Sequence, residues 1–386
     1  MINTEISKKS EKKANVFQNK QIKNARYAQL VILYFTVTIQ SAIVTSAFSV
    51  SISAIVKAFK LSNLFVLVVL SIYHILLGLC SIPLTRFANR YKQMYISLGT
   101  LLVCYGGIIF ILPVISKSRQ IGVDIQSTLC TESSKNVIGK KDQRQSSRLI
   151  LIYLGYALIG IGSAFFSTIS VKFIMETFEK SRRQLLTSIY FFCQVLGTFS
   201  IFVFSRYYLT IPMIAWKKQE AQMLPEDDIW IGAYWLPYLI GSCLLFVLMI
   251  CNTIVSRIVA RNSVSNRFKK SSSSIYSTSD FMRGSIKILG NFQLLVLILA
   301  YSFINLAKNS LSSYLQVYLE IQFHVPSNKA SFYGGIPAIT TGVYYYEEIS
   351  SKQQKIALCK HCNRNHQFRL FNVFIFPLRF ATDQRS

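Results

Sequence analysis

The sequence predicts an all-α polytopic membrane protein, and three observations carry that prediction. Hydrophobic residues fill 52% of the 386 positions and charged residues only 15%, which is too much apolar surface for one soluble core. The apolar residues gather into runs of about 20, the length a bilayer demands of a spanning helix. Between the runs lie polar segments rich in Lys and Arg.

Taken in order, the runs cover 28–53, 61–84, 95–115, 149–170, 186–204, 231–255 and 289–319, which predicts seven spans. A shorter apolar stretch, 332–343, reads as the opening of an eighth. Residues 1–26 are polar and basic, with no short apolar core ending in small residues, so the first span is expected to insert without cleavage. The formal charge of +26 would suggest nucleic acid in a soluble protein. Here the cations flank the spans, where they set topology and meet anionic lipid, so no nucleic-acid partner is expected. Placing the N-terminus in the cytoplasm puts more Lys and Arg inside than outside, with segment 116–148 dissenting. The eight cysteines are scattered and form no disulfide framework.

The stretch Asp227-Asp228-Ile229-Trp230-Ile231-Gly232-Ala233-Tyr234-Trp235-Leu236-Pro237-Tyr238-Leu239 sets acids, tryptophans and small residues at the mouth of a span. It resembles the signature of the organic anion transporting polypeptides, with Asp227, Trp230, Ile231, Gly232, Ala233, Trp235 and Leu239 matching. Ile229, Tyr234 and Pro237 stand where the family has Arg, Trp and Gly. Further patches carry the likeness over roughly residues 45–342. They include Ile52–Leu61, Phe87-Ala88-Asn89-Arg90, Leu158–Ser163 with its small residues, and Tyr318-Leu319-Glu320-Ile321-Gln322-Phe323. Departures are informative too. Ala88 replaces the glycine of a tight turn, Val317 replaces a Lys, and Val114 stands where most members carry a titratable His, which implies weak acid stimulation. Of two acids expected beyond span four, Glu176 alone remains.

The resemblance implies a major facilitator layout: a cytoplasmic tail (1–26), a six-helix lobe (27–255), a cytoplasmic basic and Ser-rich loop (256–287), and the start of a second lobe (288–342). In such folds the substrate lies between lobes near the midplane. The remainder, 343–386, is polar and divergent, and beside the family the chain looks truncated after the start of span eight.

Lys308 is the one cation well inside an apolar run, with Asn309 beside it, and an intramembrane charge is a functional hypothesis. The competing reading is a snorkelling Lys near the outer interface. Arg206, at the outer end of span five, is a candidate for drawing anions in or for anchoring a helix. Trp230 and Trp235 read first as an aromatic belt. The Cys359-Lys360-His361-Cys362 tail lacks a second well-spaced ligand pair, so no metal or other cofactor is expected. Nor does any catalytic constellation suggest an enzyme.

The resemblance thus implies sodium-independent transport of large amphipathic organic anions by alternating access in the plasma membrane, with the N-terminus cytoplasmic. The anion and membrane lipid are the expected partners. Two rivals stand beside it: a non-transporting truncated remnant, with homo-oligomerisation a possibility if the truncation is real, and a seven-span receptor.

Overall fold

The computed structural model describes residues 2–59, 63–87, 92–127, 137–213, 230–264 and 290–337. They form one compact unit within Met1–Gly342, and among them the architecture is all-helical. Helix α1 (Ile2–Ser41) passes through a π-helical stretch (Ala42–Ala47) into α2 (Phe48–Phe59). Then follow α3 (Asn63–Phe87), α4 (Lys92–Ser127), α5 (Val137–Thr177), α6 (Lys180–Tyr208), α7 (Leu236–Val264), α8 (Phe292–Phe323) and α9 (Ser327–Gly334). Five helical stretches are long and apolar enough to cross a bilayer: Lys23–Phe59, Lys92–Val114, Arg148–Thr177, Lys180–Tyr208 and Leu236–Val259. The other two expected spans are present as helices whose described apolar parts, Val68–Leu84 and Phe292–Ile304, are shorter. The chain is a multi-pass membrane protein.

Three expected boundaries move. Span one runs on through the π-helical stretch to Phe59. Segment 116–148, read as a loop, is helical up to Ser127 and again from Val137. Span six starts at Leu236 and not at Ile231, because residues 230–235 form a turn bridged to Pro212; Pro237, which needs no backbone N–H partner in a first turn, then opens the helix.

Lipid is as apolar as leucine, so shape and hydrogen bonding hold these helices together more than hydrophobicity does. Helices α4 and α5 show the shape term. A Cβ on Gly99 would lie 2.8 Å from the Gly162 carbonyl, and one on Gly162 would lie 2.7 Å from the Gly99 carbonyl. Gly106 and Gly155 repeat this reciprocal closeness at 2.7 and 2.9 Å. Helix α3 grips the same α5 at Gly160, where a Cβ would come within 2.9 Å of the Tyr73 carbonyl.

The core has two layers. Toward the side that holds Phe59, the far side, Phe48, Phe110, Tyr156, Tyr234 and Tyr238 interlock, with Phe48–Tyr156 ring centroids 4.4 Å apart and Phe110–Tyr238 4.5 Å apart. Toward the side of Lys23, the near side, Leu30, Leu33, Ile96, Phe166, Phe173 and Tyr190 do so. Span one is unusually polar for its setting, and its hydroxyls return protons to carbonyls of the same helix: Thr36 to Ile32, Thr38 to Tyr34, Ser46 to Ala42, Ser49 to Thr45 and Ser51 to Ala47. This local bonding is what makes so many hydroxyls tolerable away from water.

Candidate functional site

Two assemblies at the far side organise the site. The first is the signature turn. The Met213 N–H donates to the Ile231 carbonyl (3.0 Å) and the Ala233 N–H to the Ile211 carbonyl (2.9 Å), so residues 209–213 and 230–235 run as a short antiparallel clasp. The Trp230 indole N–H donates to the Leu209 carbonyl at 2.8 Å, and that of Trp235 to the Met213 carbonyl at 3.0 Å. Both tryptophans therefore spend their polar edge inside the protein. Gly232 has no room for a side chain, since a Cβ would lie 2.5 Å from the Leu209 carbonyl. Ala233 is fully buried beside Tyr234. Thus Trp230, Gly232, Ala233 and Trp235 act together to tie the end of α6 to the start of α7. Asp227, the first signature residue, lies outside the described residues, as do Ala88 and the Cys359–Cys362 tail.

The second assembly is the corner where α8 and α9 meet the first six helices. Glu320, its side chain only 10% exposed, accepts a hydrogen bond from the Ser53 hydroxyl, and the Lys57 ammonium of α2 stands 3.7 Å from the same carboxylate. Gln316 is buried and donates from Nε2 to the Ser331 hydroxyl at 2.6 Å, joining α8 to α9. On the other flank α9 rests on α6, where a Cβ on Gly335 would lie 2.7 Å from Phe202 Cβ. Helix α8 meets the six-helix bundle chiefly along α2 and the π-helical stretch. Toward the near side it stands away, and Phe292, Val296, Leu297, Tyr301, Phe303 and Ile304 are all exposed.

One face of α6 continues from the α9 contact. On α6 the residues Phe191, Val195, Thr198, Phe202 and Arg206 recur at three- and four-residue spacing and form one stripe. Phe202 lies against α9, and Arg206 is exposed one turn beyond it. Across from the stripe, the π-helical stretch turns Thr45 outward to within 3.5 Å of the Thr198 hydroxyl. π-helical turns inside α-helices concentrate at functional sites. Each hydroxyl gives its proton to its own helix, Thr45 to Ser41 and Thr198 to Gln194, and each can turn it toward a bound acceptor. Lys308 and Asn309 lie on α8, about 17–18 Å of helix inward from Glu320 at 1.5 Å per residue. Sequence reasoning passed over Ser53, Lys57, Thr45 and Thr198; only the three-dimensional junction reveals them.

A separate groove of about 400 Å³ lies between α1, α6 and α7, lined by Thr38, Ala42, Ser200, Phe204, Tyr207 and Leu244 among others. It opens on the opposite face of α6 and its lining carries no charged residue, so an anionic group has no cationic partner there. At the near side, the Lys92 ammonium at the start of α4 pairs with Glu176 at the end of α5. The acid left unpaired by the sequence comparison is thus a link between two helices.

Residues 28–346 match the Organic Anion Transporter Polypeptide (OATP) family. The chain is similar to human solute carrier organic anion transporter family member 4C1, 22% identical over 321 residues that cover 78% of this chain and 44% of the relative. The mouse 4C1 protein is 22% identical over 346 residues, covering 83% and 48%, and mouse member 4A1 is 23% identical over 217 residues, covering 55% and 30%. The chain spans just under half the length of the 4C1 relatives. With more than three quarters of its residues inside one family match, and with the signature residues clasping two spans, the chain belongs to the organic anion transporter polypeptide family.

Proposed function

We propose that the chain takes part in sodium-independent transport of large amphipathic organic anions across the plasma membrane, by alternating access, with the near side and the N-terminus cytoplasmic. Residues 27–255 form the first lobe, 256–287 the connecting loop and 288–342 the opening of the second lobe. One observation carries the mechanism: α8 leans on the first lobe at its far end and stands clear of it at its near end. A cleft shut on one side and open on the other is one of the two states that alternating access requires. The signature clasp and the Gly-lined α4–α5 contact keep the first lobe rigid enough to rock as a body.

Anion recognition is assigned to Arg206, Lys308 and Asn309. Arg206 stands on the α6 stripe at the far mouth. Stepping back eight residues from both Ser53 and Glu320, about 12 Å along each helix, makes Thr45 level with Ser312, and Lys308 and Asn309 follow one turn deeper. A cation and an amide at that depth suit a sulfate or carboxylate, while the exposed rings of Phe35, Phe191 and Tyr301 suit its apolar body. The test is uptake of a radiolabelled sulfated steroid, without sodium, by cells expressing the intact chain. Saturable uptake above vector-only cells, reduced by Lys308→Ala, supports the proposal. Uptake equal to vector-only cells overturns it and favours a lobe that moves no substrate.

A further inference from the structure

We infer that Ser53, Lys57 and Glu320 are a far-side latch, which sets how often the cleft between the first lobe and α8 opens to that side. The inference rests on the alternating-access reading and adds the residues that balance it. Glu320 is the acid at the junction, nearly enclosed, and across the junction it meets two α2 groups one helical turn apart, the Ser53 hydroxyl and the Lys57 ammonium, while Ser327 of α9 bonds it from its own side. Neither α2 partner moves with α8, whereas Ser327 stays with Glu320. When α8 leaves α2, all three groups must exchange this contact for water, and on the far side water is available to replace it. A buried carboxylate without partners would be strongly disfavoured, whereas a separated but hydrated pair is not. The junction is therefore stable when closed and tolerable when open, which is what a reversible closure needs. An interface of fitted glycines, such as α4 on α5, lacks the second property.

The rest of the corner makes the latch effective. The Gln316–Ser331 bond makes α8 and α9 move together, and α9 sits on α6 through Gly335 and Phe202. Among the described residues, release at Glu320 thereby frees the charged one of the contacts by which α8 and α9 hold the far side, the α9–α6 contact being a second. The second place, apolar and without charge, gives no comparable selectivity for water. Ion-pair partners at such a switch set populations by their difference between the two states.

The experiment places a thiol in the cleft by Thr198→Cys, in the full chain with the free cysteines Cys80, Cys104, Cys193, Cys243 and Cys251, and the three remaining ones, replaced by Ser. Intact cells are exposed from the far side to a membrane-impermeant thiol reagent, and labelling is normalised to total thiol after permeabilisation. Glu320→Gln and Lys57→Ala should each raise the labelling rate about fivefold or more, the size of a typical coupling between states. The charge exchange Lys57→Glu with Glu320→Lys should bring it back toward the parent rate. Labelling within about twofold of the parent in both single variants, or an exchange variant as reactive as either single one, overturns the latch. If Glu320→Gln fails to reach the surface, Ser53→Ala removes one partner gently and should give a smaller rise; no rise overturns the latch again. Labelling needs no transported substrate, so a chain that shows the rise yet takes up no sulfated steroid keeps the latch and refutes only the transport reading.

Discussion

Two helix junctions in this molecule are built from opposite materials. Where α4 meets α5, Gly99, Gly106, Gly155 and Gly162 bring backbones so near that no side chain fits between them. Where α2 meets α8, apolar packing that includes Val317 is joined by a carboxylate, an ammonium and a hydroxyl. The first kind of contact exists only when closed, because any separation forfeits close packing that lipid does not restore. The second can be exchanged for water. A protein that must keep one half rigid while moving another against it has reason to use both, and the difference predicts different responses to mutation.

The largest effect is expected at the glycine junction. Gly106→Leu or Gly162→Leu forces the α4 and α5 backbones apart, at a cost of about 3 kcal/mol, and should abolish surface expression, measured by biotinylation. Gly232→Ala comes next. Its methyl would strike the Leu209 carbonyl, loosening the clasp by about 1–3 kcal/mol and lowering the melting midpoint in nanodiscs. Trp230→Phe keeps the ring and removes one hydrogen bond to Leu209, so a loss of about 1 kcal/mol is expected in the same assay. Glu320→Gln should move the midpoint less than Gly232→Ala does while changing access to the cleft. An equal loss of stability from both would erase the distinction between the two junctions. The smallest effect is at His324, which caps α8 with φ at 48°, the left-handed region. Glycine adopts that conformation without strain, so His324→Gly should stabilise by about 0.5–1 kcal/mol.

Much of this fold was legible because hydropathy in a membrane protein is nearly a drawing of its helices. Each of the seven apolar runs falls on a described helix, and the small residues of Leu158–Ser163 pointed to close packing that Gly160 and Gly162 indeed make. What stayed hidden has physical causes. Ser53 and Glu320 are 267 residues apart, and nothing local to either marks a partner. The π-helical turn at Ala42–Ala47 contains neither Pro nor Gly, the usual sequence signs of a disturbed helix. Trp230 and Trp235 carry the composition of an interfacial belt, yet their partners are backbone carbonyls at 209 and 213. Backbone acceptors leave no trace in residue types. The start of span six was misplaced for the same reason, since Ile231 and Ala233 are apolar enough to read as helix while their backbone is held in a clasp.

The account stands most directly on motion of α8 against the first lobe. Spin labels placed through cysteine at Thr210 and Gln322 report the far side, and labels at Val31 and Leu297 report the near side; all four positions are exposed. Pulsed distance measurements are made in nanodiscs with and without a sulfated steroid. The account predicts that adding the anion moves the two distances in opposite directions, the far pair lengthening as the near pair shortens, and that Glu320→Gln produces part of the same shift without ligand. Two distances that stay fixed, or that change together, would contradict it.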